Sequence, residues 1–397
     1  MKHFKAADGG VHELFDALES RALLSVTLFA DRGLLVEGNN WDNVMVIEAG
    51  LNPGVVLLHG VPGVEDGAEF TEITWLIVRG REGNDTITVE DALLIGGVSN
   101  PPPMPVKLNG GVGDDTINGG PGPELLIGFE GNDTLMGGDG NDIMLGDAEW
   151  CAGGADFMRG GGGNDLMTGF GGDDDMGGDA GNDIMFGNIG NDFMAGGDGD
   201  DFVHGGFGHD VMSGDTGKDV LQGWFGNDEI DGGEGNDLIN GFVGDDILHG
   251  GLGDDFVTGH NGNDEVFGDD GDDAVFGNIG NDQVSGGAGN DHVNGGFGND
   301  ILFGEAGRDV LIGYVGDDQA DGGDGDDAID GGAGNDVLIG AAGHDSIAGR
   351  DGDDVIDGGD GDDTIDPGAG INSVTGGTGT NNLSALLSPT FWHNWVP

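Results

Sequence analysis

The chain has 397 residues, of which 76 are acidic, 11 basic and 91 glycine, for a formal net charge of -65. An acid excess of that size argues against nucleic acid and anionic membrane as partners, and no apolar stretch approaches transmembrane length. The single cysteine, Cys151, excludes an internal disulfide.

Residues 1–30 do not read as an ordinary signal peptide, because Asp8, Glu13, Asp16 and Glu19 precede only a short apolar run, Ala22 to Ala30. Leu18, Glu19, Arg21, Leu23, Leu24 and Ser25 fall in a pattern that resembles the LExRxLLS-type segment near the start of many large bacterial surface and extracellular proteins. That resemblance implies a targeting role for residues 1–30.

Residues 31–105 are β-rich and irregular. One clean glycine-rich unit, Gly80–Ile87, and a worn one, Gly38–Met45, have apolar runs such as Val55–Leu58 and Trp75–Val78 between them. Longer rungs of a parallel β-helix are expected here, ended by Pro101, Pro102 and Pro103.

Residues 106–382 are an array of nonapeptides of the form G-x-x-G-x-D-x-U-x, with U apolar. From Asp156 to Asp363 an aspartate recurs every nine residues, twenty-four times without a miss. These are Asp156, Asp165, Asp174, Asp183, Asp192, Asp201, Asp210, Asp219, Asp228, Asp237, Asp246 and Asp255, continuing as Asp264, Asp273, Asp282, Asp291, Asp300, Asp309, Asp318, Asp327, Asp336, Asp345, Asp354 and Asp363. Asp115, Asp133 and Asp142 precede them at compatible spacing, with Glu124 in the intervening slot. Asp142 and Asp156 stand fourteen apart, which reads as a five-residue insertion around Cys151. Asn372 and Asn381 hold the register at the end, so those rungs are expected to stack without a full ion site.

Each unit follows from residue chemistry. Three residues after the Asp suffice for a short strand, whose middle residue U faces one way while its neighbours face the other. The six-residue turn needs positive φ, which Gly, Asn and Asp adopt at least cost.

The repeat resembles the RTX (hemolysin-type) calcium-binding nonapeptide. The resemblance implies an all-β, right-handed parallel β-roll with two nonapeptides per turn and U inside. It also implies several calcium ions, held between stacked turns by these twenty-seven Asp carboxylates and turn carbonyls. Hard oxygen donors of that kind suit calcium rather than zinc or copper. Ordering nine residues costs about 1–2 kcal/mol each, while burying one U side chain returns roughly 1.5–3 kcal/mol. Carboxylates about 5 Å apart add roughly 0.8 kcal/mol of repulsion per pair even at the dielectric of water. Apolar burial alone therefore cannot fold a unit, and calcium is expected to be part of the fold.

A longer period lies within the short one. Phe186–Asp192 recurs unchanged ninety residues on, as Phe276–Asp282. Ninety is an even number of nonapeptides, so a duplication of that length keeps each residue on its own sheet. Residues 383–397, with Phe391, Trp392 and Trp395, are expected to cap the open end.

No catalytic constellation is visible. His12 and Glu13 lack the second histidine of a zincin helix, no serine sits in G-x-S-x-G, and His209 and His344 occupy the variable slot before Asp. The expected role is therefore an extracellular, secreted or cell-surface calcium-binding repeat protein, structural or adhesive and not an enzyme, with a cell-surface or self-association partner. An RTX-type toxin or secreted enzyme, and a glycan- or ice-binding module, are the alternatives. A candidate partner surface is the apolar column just after alternate Asp residues, including Leu166, Ile184, Phe202, Val220, Leu238 and Phe256. Calcium sites of this type are empty at cytosolic calcium and filled outside, which favours export, by a signal or by a one-step exporter reading the C-terminus.

Overall fold

The computed structural model describes residues 25–29, 33–38, 41–49, 56–59, 67–70, 75–90, 106–147 and 153–383. The expected targeting segment (apart from residues 25–29), the Pro101–Pro103 boundary, Cys151 and the tail beyond Leu383 lie outside them. Among the described residues every regular element is a strand. The chain forms two compact units, residues 1–199 and 200–397.

The first unit is a parallel β-solenoid of two sheets. In one sheet Gly33–Glu37, Trp75–Glu82, Val106–Val112, Glu124–Glu130, Ile143–Asp147, Leu166–Gly171 and Ile184–Ile189 pair in that order. In the other, Val44–Ala49 is followed by Thr86–Val89, Thr116–Gly120, Thr134–Asp139, Phe157–Gly162, Asp175–Ala180 and Phe193–Asp198. The irregular region thus supplies rungs of the same solenoid. Antiparallel strands add to it, Ser25–Leu28 on Gly33–Glu37 and Val56–His59 on Val44–Ala49, with Ala68–Phe70 outside the latter. These returns were not anticipated, because their apolar runs carry no nonapeptide spacing.

The second unit repeats the plan. One sheet runs from Phe202–Phe207 through Val220–Phe225 and Leu238–Val243 to Asn382–Leu383, and the other from Val211–Gly217 through Glu229–Gly235 to Ser373–Thr375. Partners are eighteen residues apart, as in Leu221 with Ile239, so two nonapeptides make one turn.

Strands are longer than the three residues expected. Most span six, because parallel pairing continues into the turn, as at Gly161 with Asp179 and Gly162 with Ala180. Later rungs such as Val337–Ile339 return to three.

The U side chains form the core. Ile230, Ile239, Leu248 and Val257 have no exposed surface, and even the small Ala320 is only 4 % exposed. The turn backbone explains the glycines at its first and fourth positions. A Cβ on Gly235, whose φ is 158°, would run into the carbonyl oxygen of Gly217 in the turn before it. A Cβ on Gly232 would lie 2.7 Å from Asp237 Oδ2 and against the Gly250 carbonyl.

Candidate metal centre

Every repeat aspartate named above is buried, from Asp309 with no exposed surface to Asp201 and Asp237 at 3 %. The U residue pulls its strand inward and the glycine five positions before the Asp leaves room for the carboxylate. One carboxylate oxygen has a fixed task. Asp237 Oδ1 accepts the backbone N–H of Asp219 at 2.8 Å, and Asp255 Oδ1 accepts that of Asp237 at 2.7 Å. In the first unit Asp133, Asp156 and Asp174 do the same for Asp115, Asp133 and Asp156, each at 2.8 Å. Each carboxylate thereby satisfies the turn before its own.

The other oxygen has no such partner. Oδ2 of Asp115, Asp133, Asp142, Asp156, Asp165 and Asp174 is buried without a hydrogen bond, as is Oδ2 of Asp219, Asp228, Asp237 and the repeat aspartates that follow to Asp363. Where asparagine takes the slot, the corresponding atom is a donor. Asn372 Nδ2 donates to Pro367 O at 2.6 Å and Asn381 Nδ2 donates to Gly376 O, while their Oδ1 atoms accept from Asp354 and Asp363 N–H. The slot therefore presents a turn carbonyl, which a neutral amide can satisfy and a bare carboxylate oxygen cannot.

Burial dominates the electrostatics. It pushes the Asp156 carboxyl up to about 8 and those of Asp219, Asp228 and Asp264 up to about 7, with like charges of neighbouring turns adding to the rise. The backbone N–H bond opposes the shift in each case. Stacked buried carboxylates with one free oxygen apiece call for a cation or a proton. Among the described residues no three His, Cys, Asp or Glu side chains converge on one point, so an ion here would take carbonyl oxygens beside one or two carboxylates. That donor set fits calcium.

The geometry also adds residues. Asp85 is 1 % exposed, receives the Asn43 N–H and Nδ2 on Oδ1, gives its own N–H to Asp115 Oδ1 at 2.6 Å, and has a free Oδ2. Its glycine-rich unit was visible, but its thirty-residue distance from Asp115 hid it from the nine-residue count. Glu124 takes a ladder place too, 7 % exposed with Oε2 unpartnered, its carboxyl pushed up to about 8. Its N–H goes to Asp142 Oδ1 at 2.7 Å.

A second ladder runs outside the first in the opposite sense. Asn281 N–H donates to Asn263 Oδ1 and Asn299 N–H to Asn281 Oδ1. His209 and His344 stand in for asparagine, their Nδ1 atoms accepting from Asn227 and Asp362.

The model of the RTX calcium-binding nonapeptide repeat (four copies) matches residues 109–144 and, in overlapping or adjoining segments, 152–374. The chain belongs to this family. RTX repeats of this kind make it a calcium-binding repeat protein on a parallel β-solenoid. No curated protein matches the sequence.

Proposed function

We propose that this RTX protein is an extracellular element that calcium folds after export, with a structural or adhesive role and no catalytic one. The single observation that carries the calcium reading is the file of buried Oδ2 atoms without a partner, set against the two asparagine slots where a donor takes that place. On this reading the repeat aspartates from Asp115 to Asp363 are calcium ligands, joined by Asp85 and Glu124, and Asn43, Asn372 and Asn381 close the files without charge. Metal binding is then folding free energy. Sites of extracellular modules fill at about 10⁻⁴–10⁻³ M calcium, which supports folding outside the cell. No helix among the described residues is long and apolar enough to cross a membrane.

Calcium titration of chelated protein followed by far-ultraviolet circular dichroism tests the reading. The expected outcome is a chain largely unfolded in chelator that gains β-structure cooperatively toward the millimolar range. Native β-structure persisting in excess chelator overturns it.

The adhesive or self-associating role draws on a surface of the second unit. The third turn position of one sheet presents Phe207, Phe225, Val243, Ile279, Phe297 and Val315, between 40 % and 56 % exposed. They stack in register through Asn261. The column just after the Asp is also part-exposed, with Leu238 38 % and Phe256 43 % exposed. Apart from Asn261, the file is a contiguous exposed apolar strip, the kind of surface that marks an interaction site.

A further inference from the structure

The interrupted turn of the first unit holds an acidic side chain that the ladder does not use. Asp147 ends the strand Ile143–Asp147 and pairs with Phe129. In neighbouring turns this second position takes positive φ, as at Phe129 (101°), Phe170 (74°) and Asn188 (77°), and reaches solvent. Asp147 has no positive φ and no exposed surface.

Apart from the nearby Gly154 N–H, neither Asp147 oxygen has a hydrogen-bond donor, and among the described residues no other aspartate is left with both oxygens outside the ladder in this way. The charged groups acting on it are Asp174, Asp133 and Glu130, all repulsive, with the Gly154 N–H alone acting in its favour. The oxygens nearby are of one kind. A Cβ on Gly153 would sit 2.5 Å from Asp147 Oδ2 and against the Gly171 carbonyl, and one on the adjacent Gly146 would meet Asp156 Oδ2 and, at 3.0 Å, the Gly169 carbonyl. A fully desolvated carboxylate among acids and carbonyls is not tolerated bare.

We propose that Asp147 builds an additional calcium site in the interrupted turn, outside the nonapeptide register, with its two carboxylate oxygens and the Gly171 carbonyl among the ligands. The inference rests on the calcium reading of the array. Asp147 gives neither oxygen to the N–H ladder, so both can face an ion, and its charge adds to that of the ladder carboxylate Asp156, on which it acts. Calcium affinity rises with ligand charge, so this site fills before the repeat sites.

The test uses the full chain, calcium alone as the probe, and the isosteric variant Asp147→Asn. Ions bound per chain are counted by equilibrium dialysis, and the melting temperature is read in saturating calcium. The expected result is one ion fewer, the tightest phase weakened by at least about tenfold, and a lower melting temperature. Asp165→Asn, on the ladder, is expected to leave that tightest phase in place. An unchanged ion count with an equal or higher melting temperature overturns the site, because asparagine would then have relieved an uncompensated buried charge. If Asp147→Asn fails to fold, folding of Asp147→Glu in calcium supports the site and failure of both overturns it. A parent chain that takes up no calcium removes the reading of the whole array, a result distinct from an Asp147→Asn variant that binds like its parent.

Discussion

At the scale of one residue, a repeat aspartate does two separable things. Asp237 Oδ1 satisfies the Asp219 N–H of the turn before, and Oδ2, buried without a partner, is the oxygen that the proposed calcium reading gives to an ion. Asn381 does the first without the second, giving Oδ1 to Asp363 and Nδ2 to Gly376. Asp237→Ala should therefore cost about 2 kcal/mol or more, since it orphans a buried N–H and removes a charged ligand, whereas Asn381→Ala at the part-buried end should cost under about 1 kcal/mol. Calcium-dependent melting of the two variants measures the difference, and equal losses would refute the division of labour. The aspartates were legible from spacing because one residue type serves the same slot in every turn. Asp147 was not, because its slot, the second of the turn, holds no one residue type and reaches solvent in neighbouring turns such as those of Phe129 and Asn188.

At the scale of the element, the turn carries the information that the strand does not. Strand residues alternate between core and surface, and that alternation was readable from the U positions. The variable third turn position shows no compositional rule: it holds Phe207, Phe225 and Phe297 but also Asn261 and Ala333. Only stacking reveals that six apolar members share one file; Phe207 and Phe225 lie ring on ring with centroids 4.9 Å apart and planes 3° apart. If that file binds a second copy, the chain should self-associate in calcium and the triple variant Phe207→Ser, Phe225→Ser, Phe297→Ser should sediment as a monomer with its fold intact. A parent that is already monomeric, or a variant that associates as before, removes the role. The antiparallel returns near the N-terminus were illegible for a related reason, since neither the apolar run in Val56–His59 nor the short Ala68–Phe70 has a spacing that assigns it a partner.

At the scale of the molecule, many carboxylates share one shifted titration. Those of Asp115, Asp273, Asp282, Asp309 and Asp318 rise to about 7, and those of Asp246, Asp255, Asp336 and Asp345 to about 6, burial being the largest cause in each. The ordinary value in an unfolded chain is 3.8. Between those limits the metal-free fold binds more protons than the unfolded chain, so its stability grows as pH falls and is lost as pH rises through about 6–7. In chelator, β-structure should therefore appear on acidification from about pH 8 to about pH 5. With calcium the sense reverses, because protons compete for the same oxygens and the calcium midpoint should rise as pH drops through that window. Circular dichroism across pH, with and without chelator, checks both; a chelated chain more ordered at about pH 8 than at about pH 5 would contradict the assignment.

The distance along the chain between bonded turns sets the order in which they can form. Within the array that distance is eighteen residues, as for Asp219 and Asp237, or twenty-three across the insertion, as for Asp133 and Asp156, but it is thirty for Asp85 and Asp115 and forty-two for Asn43 and Asp85. Each array turn thus closes a short loop, so an all-β chain escapes the slow search that distant pairing imposes on barrels and sandwiches. Closing the forty-two-residue loop costs about 0.8 kcal/mol more than closing an eighteen-residue one, before any stiffness of the connecting segment. When calcium is added to the chelated chain, pulsed hydrogen exchange should show the Asp237 amide protected before the Asp85 amide, and simultaneous protection would rule out that order. The irregular N-terminal rungs would then arrive last on a lattice already built, a kinetic latecomer at the end that the chain's numbering places first.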